Sequence, residues 1–154
     1  MSIVLNANLK TGKLNAFGKT IDVSCLVRNE LNGQRKKNQV VKSMPEGKPI
    51  QPRQFPAGSW TVGMPVTRTD PYLAPWFIPT TAFQMLPIWS LDTKGQYKEA
   101  TDKKTRDVGY GLHHSTSNTT QGCIKIIKMD DLLWLVTKII DAIENKQTVT
   151  LIVV

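Results

Sequence analysis

Two histidines and a cysteine lie close together in the segment GYGLHHSTSNTTQGCIKI, which spans residues 109–126. A cysteine becomes a nucleophile when a neighbouring imidazole takes its proton, because a thiol with a pKa of about 8.5 is mostly protonated at neutral pH. His113 precedes Cys123 by ten residues, and small, turn-forming residues separate them. The two side chains can meet if one strand ends at His113 and the next begins at Cys123. These residue types are compatible with a Cys–His dyad.

Two other interpretations of the same residues stay open at this point. With His114 added, the segment offers three metal ligands, but adjacent residues on a strand point to opposite faces, and no fourth ligand lies near. We therefore expect no metal. The histidines could also mark only the exposed end of a strand. Gly122 permits a positive φ and a close approach of substrate, and backbone N–H groups in such a turn can face an oxyanion.

The second cysteine, Cys25, lies in the apolar run TIDVSCLV and is far from Cys123 in sequence. The two cysteines have no C-x-x-C spacing, so a disulfide framework is not expected. An apolar environment disfavours the thiolate. We expect Cys25 to be a buried, unreactive thiol.

Short β-branched or aromatic runs separated by turn residues predict a mainly β (α+β) fold. One segment has a helical period instead, and its apolar stripe predicts a helix over residues 131–145, with Asp130 and Asp131 at its start and Lys146 near its end. The stripe comprises Leu132, Leu133, Val136, Ile139, Ile140 and Ile143, with Trp134 at its edge. The predicted strands cover residues 3–9, 13–17, 20–27, 59–66, 82–89, 109–113, 123–127 and 148–153, the last buried on both faces.

Three segments are predicted to be irregular. Residues 28–55 are polar and form a long loop or flap, and the prolines in PYLAPWFIPTTAFQMLPIW make residues 71–89 largely an irregular connection. Its aromatic residues either fill the core or line a substrate groove. The basic clusters at residues 35–37 and 102–107 lie in turn-like stretches without interleaved aromatic residues, which favours solvated loops over a nucleic-acid patch.

A chain of 154 residues, of which 40% are hydrophobic, is long enough to bury one core, so we expect a single domain over residues 1–154. The formal net charge of +8 predicts an anionic partner, such as an acidic wall polymer or a nucleic acid. The N-terminal residues lack the pattern of a secretory signal, and no apolar run has the length of a membrane span. We therefore expect synthesis in the cytoplasm and no membrane insertion.

The segment 109–126 resembles the active-site signature of L,D-transpeptidase (YkuD-like) domains, in which a histidine, a variable loop and Ser/Thr-His-Gly-Cys-Ile-Arg follow one another. Leu112-His113 is similar to its first half, and TQGCIK at residues 120–125 to its second. FPAGSWTVG at residues 55–63 and the segment from Asp130 to the C-terminal strand also resemble the family. The resemblance covers about two thirds of the chain, from Pro52 onward.

The chain departs from the family at two positions of the signature. Gln121 replaces the histidine that precedes Gly-Cys in most members, and Lys125 replaces the arginine that follows Cys-Ile. The loop is also shorter than in most wall-crosslinking members, which resembles the branch of phage proteins and type VI secretion antibacterial effectors. The upstream histidine is the family's general base, so the departures leave His113 in that role.

The resemblance implies a β-sandwich or barrel with one main helix, in the C-terminal half of the chain, packed on the sheet. It also implies a peptidoglycan-modifying transferase or hydrolase that needs no cofactor. Cys123 is the implied nucleophile, which attacks the stem-peptide bond to D-Ala. Lys125 is the implied partner of a stem carboxylate. The implied supporting and oxyanion residues are His114, Ser115, Gln121 and Gly122.

The implied partner is a peptidoglycan stem peptide rather than a nucleic acid, together with delivery machinery or an immunity protein. The resemblance implies action in the periplasm or cell wall, reached by non-standard export or by lysis. The alternative from another class is a non-catalytic wall-binding module on the same scaffold. A papain-like peptidase is disfavoured because those families place the cysteine before the histidine.

Overall fold

The computed structural model describes residues 2–25, 54–69, 75–91, 97–115 and 122–154. The described residues form eleven strands and one helix. In chain order they are β1 (Ser2–Asn8), β2 (Lys13–Ala16), β3 (Lys19–Ser24), β4 (Gly58–Thr61), β5 (Val66–Thr67), β6 (Trp76–Pro79), β7 (Gln84–Leu91), β8 (Tyr97–Asp107), β9 (Gly111–His113), β10 (Ile124–Ile126), α1 (Met129–Glu144) and β11 (Thr148–Val153).

Nine strands form one curled sheet in the order β4-β11-β1-β2-β3-β10-β9-β6-β5, and β7 and β8 form a separate two-stranded sheet. The pairs β1–β11 and β9–β10 are parallel. An isolated bridge between Val62 and Thr80 joins the end of β4 to the end of β6. This bridge brings the two sides of the sheet together. The predicted mainly β (α+β) fold, with one helix in the C-terminal half packed on the sheet, is confirmed.

The core lies between α1 and the inner face of the curled sheet. Strands β1 and β2 alternate buried and exposed residues, as a sheet with one covered face requires. On β6, β9 and β10, the residues Ile78, Leu112 and Ile124 face the core, and each has 0% exposure. The face of β9 that carries Leu112 therefore belongs to the core. The opposite face is available for other roles.

The predicted helix exists, but its stripe and its start differ from the prediction. Leu135 and Ala142 are buried, whereas Leu133 is 42% exposed, so Leu133 was wrongly placed in the core. Trp134, Ile140 and Ile143 pack at the margin of the core. The N-cap is Lys128 without a side-chain hydrogen bond, and both aspartates lie in the first turn. Their negative charges interact favourably with the positive end of the helix dipole. Asp131 also forms an ion pair with Lys19 at 3.0 Å.

The predicted strand over residues 82–89 is present as β7, with shifted bounds, whereas β6 contradicts the irregular connection predicted before it. Pro75 stands just before β6, and Pro79 is its last residue, so neither interrupts the middle of the strand. Pro87 lies in β7 at the irregularity in its pairing with β8, a position that tolerates a missing N–H. Prolines at strand ends and bulges were thus misread as breaks. Residues 102–107 belong to β8 and not to a turn.

Several predicted strand boundaries were also wrong. Residues 59–66 divide into β4 and β5, with Gly63 and Pro65 in the gap. Gly109 has φ of 96° and Gly122 has φ of 114°, so neither fits an extended strand, and β9 and β10 are shorter than predicted. β11 alternates buried with more exposed residues instead of being buried on both faces. Most of the predicted loop 28–55 and the basic cluster 35–37 lie outside the described residues.

In the described part of the chain, no helix is long and apolar enough to span a bilayer.

Candidate active site

A row of paired residues crosses five neighbouring strands on the face of the sheet that points away from the core. Val66 pairs with Phe77, Phe77 with His113, His113 with Lys125, and Lys125 with Ser24. Directly paired residues point to the same face of a sheet, so these five side chains form one line. The line is apolar at Val66 and Phe77 and polar at Lys125 and Ser24. His113 stands at its centre.

His113 is buried, with 5% exposure, and a hydrogen bond of its ring indicates where the proton lies. Nδ1 lies 3.1 Å from the carbonyl oxygen of His114. A carbonyl oxygen can only accept, so Nδ1 must carry the proton. In the neutral ring, Nε2 is then the unprotonated, basic nitrogen. The local backbone thus holds His113 in the tautomer whose Nε2 is the proton-accepting nitrogen.

Cys123 stands immediately before β10, at the edge of the same surface. Because Ile124 and Ile126 face the core, the alternation places Cys123 on the side of Lys125 and His113. Diagonal neighbours on adjacent strands, two residues apart in register, have Cα atoms roughly 7–8 Å apart. A thiol and an imidazole can approach each other across that separation. The Sγ atom of Cys123 makes a weak contact of 3.7 Å with the carbonyl oxygen of Gly109.

His114 links β9 to β10. Its Nδ1 lies 2.9 Å from the carbonyl oxygen of Ile126, and since that oxygen only accepts, Nδ1 is the donor here too. The bond joins the residue after β9 to the last residue of β10. His114 is therefore a positioning residue. It holds β9, which carries His113, against β10, which directly follows Cys123.

The second cysteine supports the turn that carries the first. Cys25 is buried, and its Sγ donates to the carbonyl oxygen of Gly122 at 3.3 Å. The N–H of Phe55 donates to the same sulfur at 3.5 Å. The expected burial of Cys25 is thus confirmed. Its contact with Gly122 was not foreseen, because no spacing in the sequence links the two residues.

Gly111 makes room for an aromatic ring beside the site. An added Cβ at this residue would lie within 2.6 Å of Cε2 of Phe77, and it would also clash with the carbonyl oxygen of Ile78. Phe77 itself is 7% exposed, yet it is not part of the hydrophobic core cluster. Its ring centroid lies 6.4 Å from that of His113. Phe77 thus forms an apolar wall on the outer face.

A buried polar network holds the segment that leads into β9. The hydroxyl of Tyr110 donates to the carboxylate of Asp107, and Gln84 Nε2 donates to the same hydroxyl. The hydroxyl of Thr80 donates to the carbonyl oxygen of Tyr110 at 2.6 Å. These bonds join the ends of β7 and β8 to the entrance of β9. They fix the backbone next to Gly109, which the thiol of Cys123 contacts.

The structure brings some of the predicted site residues together and leaves others apart. His113 and Lys125 are direct cross-strand neighbours, and Cys123, two residues before Lys125, is diagonal to His113. Ser115 is buried two residues beyond β9, and Gly122 is buried with a positive φ. Gln121 lies outside the described residues. Within the described ranges, no three histidine, cysteine, aspartate or glutamate side chains are grouped as metal ligands.

Sequence reasoning missed Phe77 and Gly111 as parts of the site. The glycine was read only as part of a strand, and the aromatic residue was assigned either to the core or to a groove wall. The pairing of β6 with β9 aligns Phe77 with His113 on the outer face of the sheet. Comparison with protein-family models, with curated proteins and with solved structures gave no match.

Proposed function

We propose that this protein is a peptidoglycan-acting cysteine enzyme of the L,D-transpeptidase type, which cleaves the stem-peptide bond to D-Ala through an acyl-enzyme. The observation that carries the proposal is the tautomer of His113. Its Nδ1 is bonded to a backbone carbonyl, which leaves Nε2 as a base on the face where Cys123 lies. The resemblance of residues 109–126 to the family signature supplies the substrate class.

The first half-reaction forms a thioester. Nε2 of His113 takes the thiol proton of Cys123, and Sγ attacks the carbonyl carbon of the bond to D-Ala. The resulting oxyanion accepts hydrogen bonds from backbone N–H groups of the turn at Gly122 and Cys123. Collapse of this intermediate breaks the C–N bond. The imidazolium returns its proton to the leaving amine, and D-Ala departs.

The second half-reaction transfers the acyl group. Water or an amine gives a proton to Nε2 of His113 and attacks the thioester carbon, which releases the thiolate of Cys123 for reprotonation. Water as acceptor gives carboxypeptidase or endopeptidase action, and an amine gives transpeptidation. Lys125 lies beside His113 on the same face, where its ammonium can pair with a stem carboxylate.

The test is incubation of the protein with purified sacculi that differ in stem chemistry, followed by mass analysis of the muropeptides. Wild type should yield products that lack D-Ala or carry an exchanged amine, and Cys123→Ala should yield none. Cys25→Ser is the matched control, because it removes the other thiol and keeps the nucleophile, so it should still give product. Identical muropeptide profiles for wild type and Cys123→Ala across all sacculi would refute the proposal.

The same samples distinguish the non-catalytic alternative. If the protein is a wall-binding module, the Cys123→Ala variant should still sediment with sacculi, and the wild-type protein should give no product. An enzyme gives product that depends on both Cys123 and His113.

A further inference from the structure

Arg68 follows β5 directly and stands at the apolar end of the row described above. Its guanidinium carbon lies 5.6 Å from the ring centroid of Phe77. Its backbone N–H donates to the carbonyl oxygen of Pro75 at 2.9 Å, which holds the residue beside the start of β6. The backbone hydrogen bond thus holds the Cα end of Arg68, and the Phe77 ring lies under its guanidinium end. The guanidinium is placed over the wall that faces His113.

This guanidinium is exposed and its charge is not neutralised by the described part of the protein. The two ion pairs among the described residues join Lys13 to Asp22 and Lys19 to Asp131, and neither includes Arg68. A guanidinium presents a planar fork of N–H donors that matches a carboxylate, and an aromatic platform orients that fork without consuming its donors. Arg68 therefore has the chemistry of a receptor for a carboxylate.

Phe77 and Gly111 lie between Arg68 and the nucleophile on the outer face. The Phe77 ring leans over Gly111, where no side chain intervenes. In the register of β9 and β10, Gly111 lies opposite Cys123, two residues before the pair formed by His113 and Lys125. Thiol, glycine, aromatic ring and guanidinium follow one another across the outer face. A carboxylate bound by Arg68 would thus sit beside a carbonyl group held at Cys123.

We propose that Arg68, oriented by Phe77, is a specificity residue that binds a carboxylate of the acyl substrate next to the scissile bond. This rests on the proposed function and deepens it, because it limits the substrates to acyl compounds with a free carboxylate near the reacting carbonyl. Lys125 lies on the other side of His113, so the base stands between two cations that can hold two anionic groups. Amidation of the carboxylate that Arg68 binds lowers the rate.

The experiment compares alkylation of Cys123 by iodoacetate, which carries a carboxylate, with alkylation by iodoacetamide, which does not. In both reactions the thiolate displaces iodide, so the ratio of the two rates isolates the effect of the carboxylate. The reactions are run on the full chain in a Cys25→Ser background, at low salt, and followed by mass spectrometry. Arg68→Gln removes the charge, Arg68→Lys keeps it, and Phe77→Leu removes the platform.

Arg68→Gln should lower the iodoacetate-to-iodoacetamide ratio about three- to tenfold, as expected for the loss of one nearby charge that salt screens. Arg68→Lys should restore most of the ratio, and Phe77→Leu should give an intermediate value. Lys138→Gln is the control for net charge, because Lys138 is exposed on α1, on the core side of the sheet. It should leave the ratio unchanged.

An unchanged ratio in Arg68→Gln, or an equal fall in Lys138→Gln, overturns the assignment of Arg68. Neither result depends on turnover of peptidoglycan. Conversely, absence of Cys123-dependent products from sacculi overturns the proposed function while the alkylation ratio still reports on the carboxylate site. If both succeed, a stem peptide and its carboxamide should differ in KM for wild type and converge for Arg68→Gln.

Discussion

The thiol of Cys25 and the carbonyl oxygen of Gly122 lie 3.3 Å apart, so one cysteine of the chain supports the residue that precedes the other. The same sulfur accepts the N–H of Phe55. Both partners are buried, and a buried polar group that loses its partner costs about 1–3 kcal/mol. The contact therefore links the stability of the molecule to the conformation of the candidate site.

Replacement of Cys25 by alanine should lower the free energy of unfolding by about 1–3 kcal/mol, since it leaves two backbone groups without the sulfur and opens a small void. Urea titration monitored by tryptophan fluorescence measures the change. Cys25→Ser retains a donor and an acceptor and should lose less. A Cys25→Ala variant as stable as wild type would show that the contact contributes nothing.

Replacement of His113 by glutamine should lower product formation from sacculi about 10²–10⁴-fold, the usual contribution of a general base. Glutamine is close in size and can donate to the carbonyl oxygen of His114, but it cannot accept the thiol proton. Alkylation of Cys123 by iodoacetamide at pH 6.5 should slow as well. His114→Gln is the comparison, because it retains a donor for Ile126 and leaves the base in place. Equal losses in the two variants would contradict the roles assigned here.

Replacement of Gly111 by alanine should destabilise the protein by about 1–3 kcal/mol or more, because the new methyl group clashes with the Phe77 ring and with the backbone of Ile78. Thermal unfolding gives the magnitude. Combining it with Phe77→Leu should recover only part of the loss, since the backbone clash stays. Full recovery in the double variant would mean that the ring alone requires the glycine.

The phase of the helical stripe can be tested with two leucines of α1. Leu135 has 0% exposure and Leu133 has 42%, so Leu135→Ala should cost about 2–5 kcal/mol and Leu133→Ala less than about 1 kcal/mol. Chemical denaturation of both variants measures the difference. A larger loss in Leu133→Ala than in Leu135→Ala would favour the stripe predicted from the sequence, which contains Leu133 and omits Leu135.

The acid dependence of stability should contain a contribution from Asp22. A hydrogen bond from Lys13, followed by its charge, lowers the pKa of this carboxyl from 3.8. A carboxyl whose pKa falls on folding stabilises the folded state above its unfolded pKa, and this contribution is lost as the pH drops through the folded value. The stability difference between wild type and Asp22→Asn should therefore be small, because the pair is exposed, and should vanish once the pH falls below the lowered pKa of the folded state.

That difference should also shrink in high salt, since exposed charges are screened. Lys13→Met in place of Asp22→Asn should have the same pH dependence. A difference that persists at low pH would indicate that the residues act through packing and not through charge.

The strands and the helix were largely predictable because their patterns are local. β1, β2, β11 and α1 follow apolar periods of two or about 3.6 residues, which the sequence displays directly. β6 was missed because its prolines look like breaks unless the strand ends are known. β8 was missed because it is polar, and its residues pair with β7 rather than with the main sheet.

The candidate site divides in the same way. His113, Cys123 and Lys125 could be selected from their types and spacing. Phe77, Gly111 and Cys25 could not, because their roles depend on contacts between strands that are distant in sequence. The tautomer of His113 depends on the direction of one carbonyl group, which no residue pattern specifies.

The parallel pairing of β1 with β11 has a consequence for how the chain acquires its fold. Residues 2–7 pair in register with residues 148–153, and β11 lies between β1 and β4 inside the sheet. Closing the longest loops in the chain is therefore part of completing the sheet, which favours slow folding. During synthesis, β1 keeps an open edge until β11 leaves the ribosome. Chains that stop short of β11 should be prone to pair with one another along that edge.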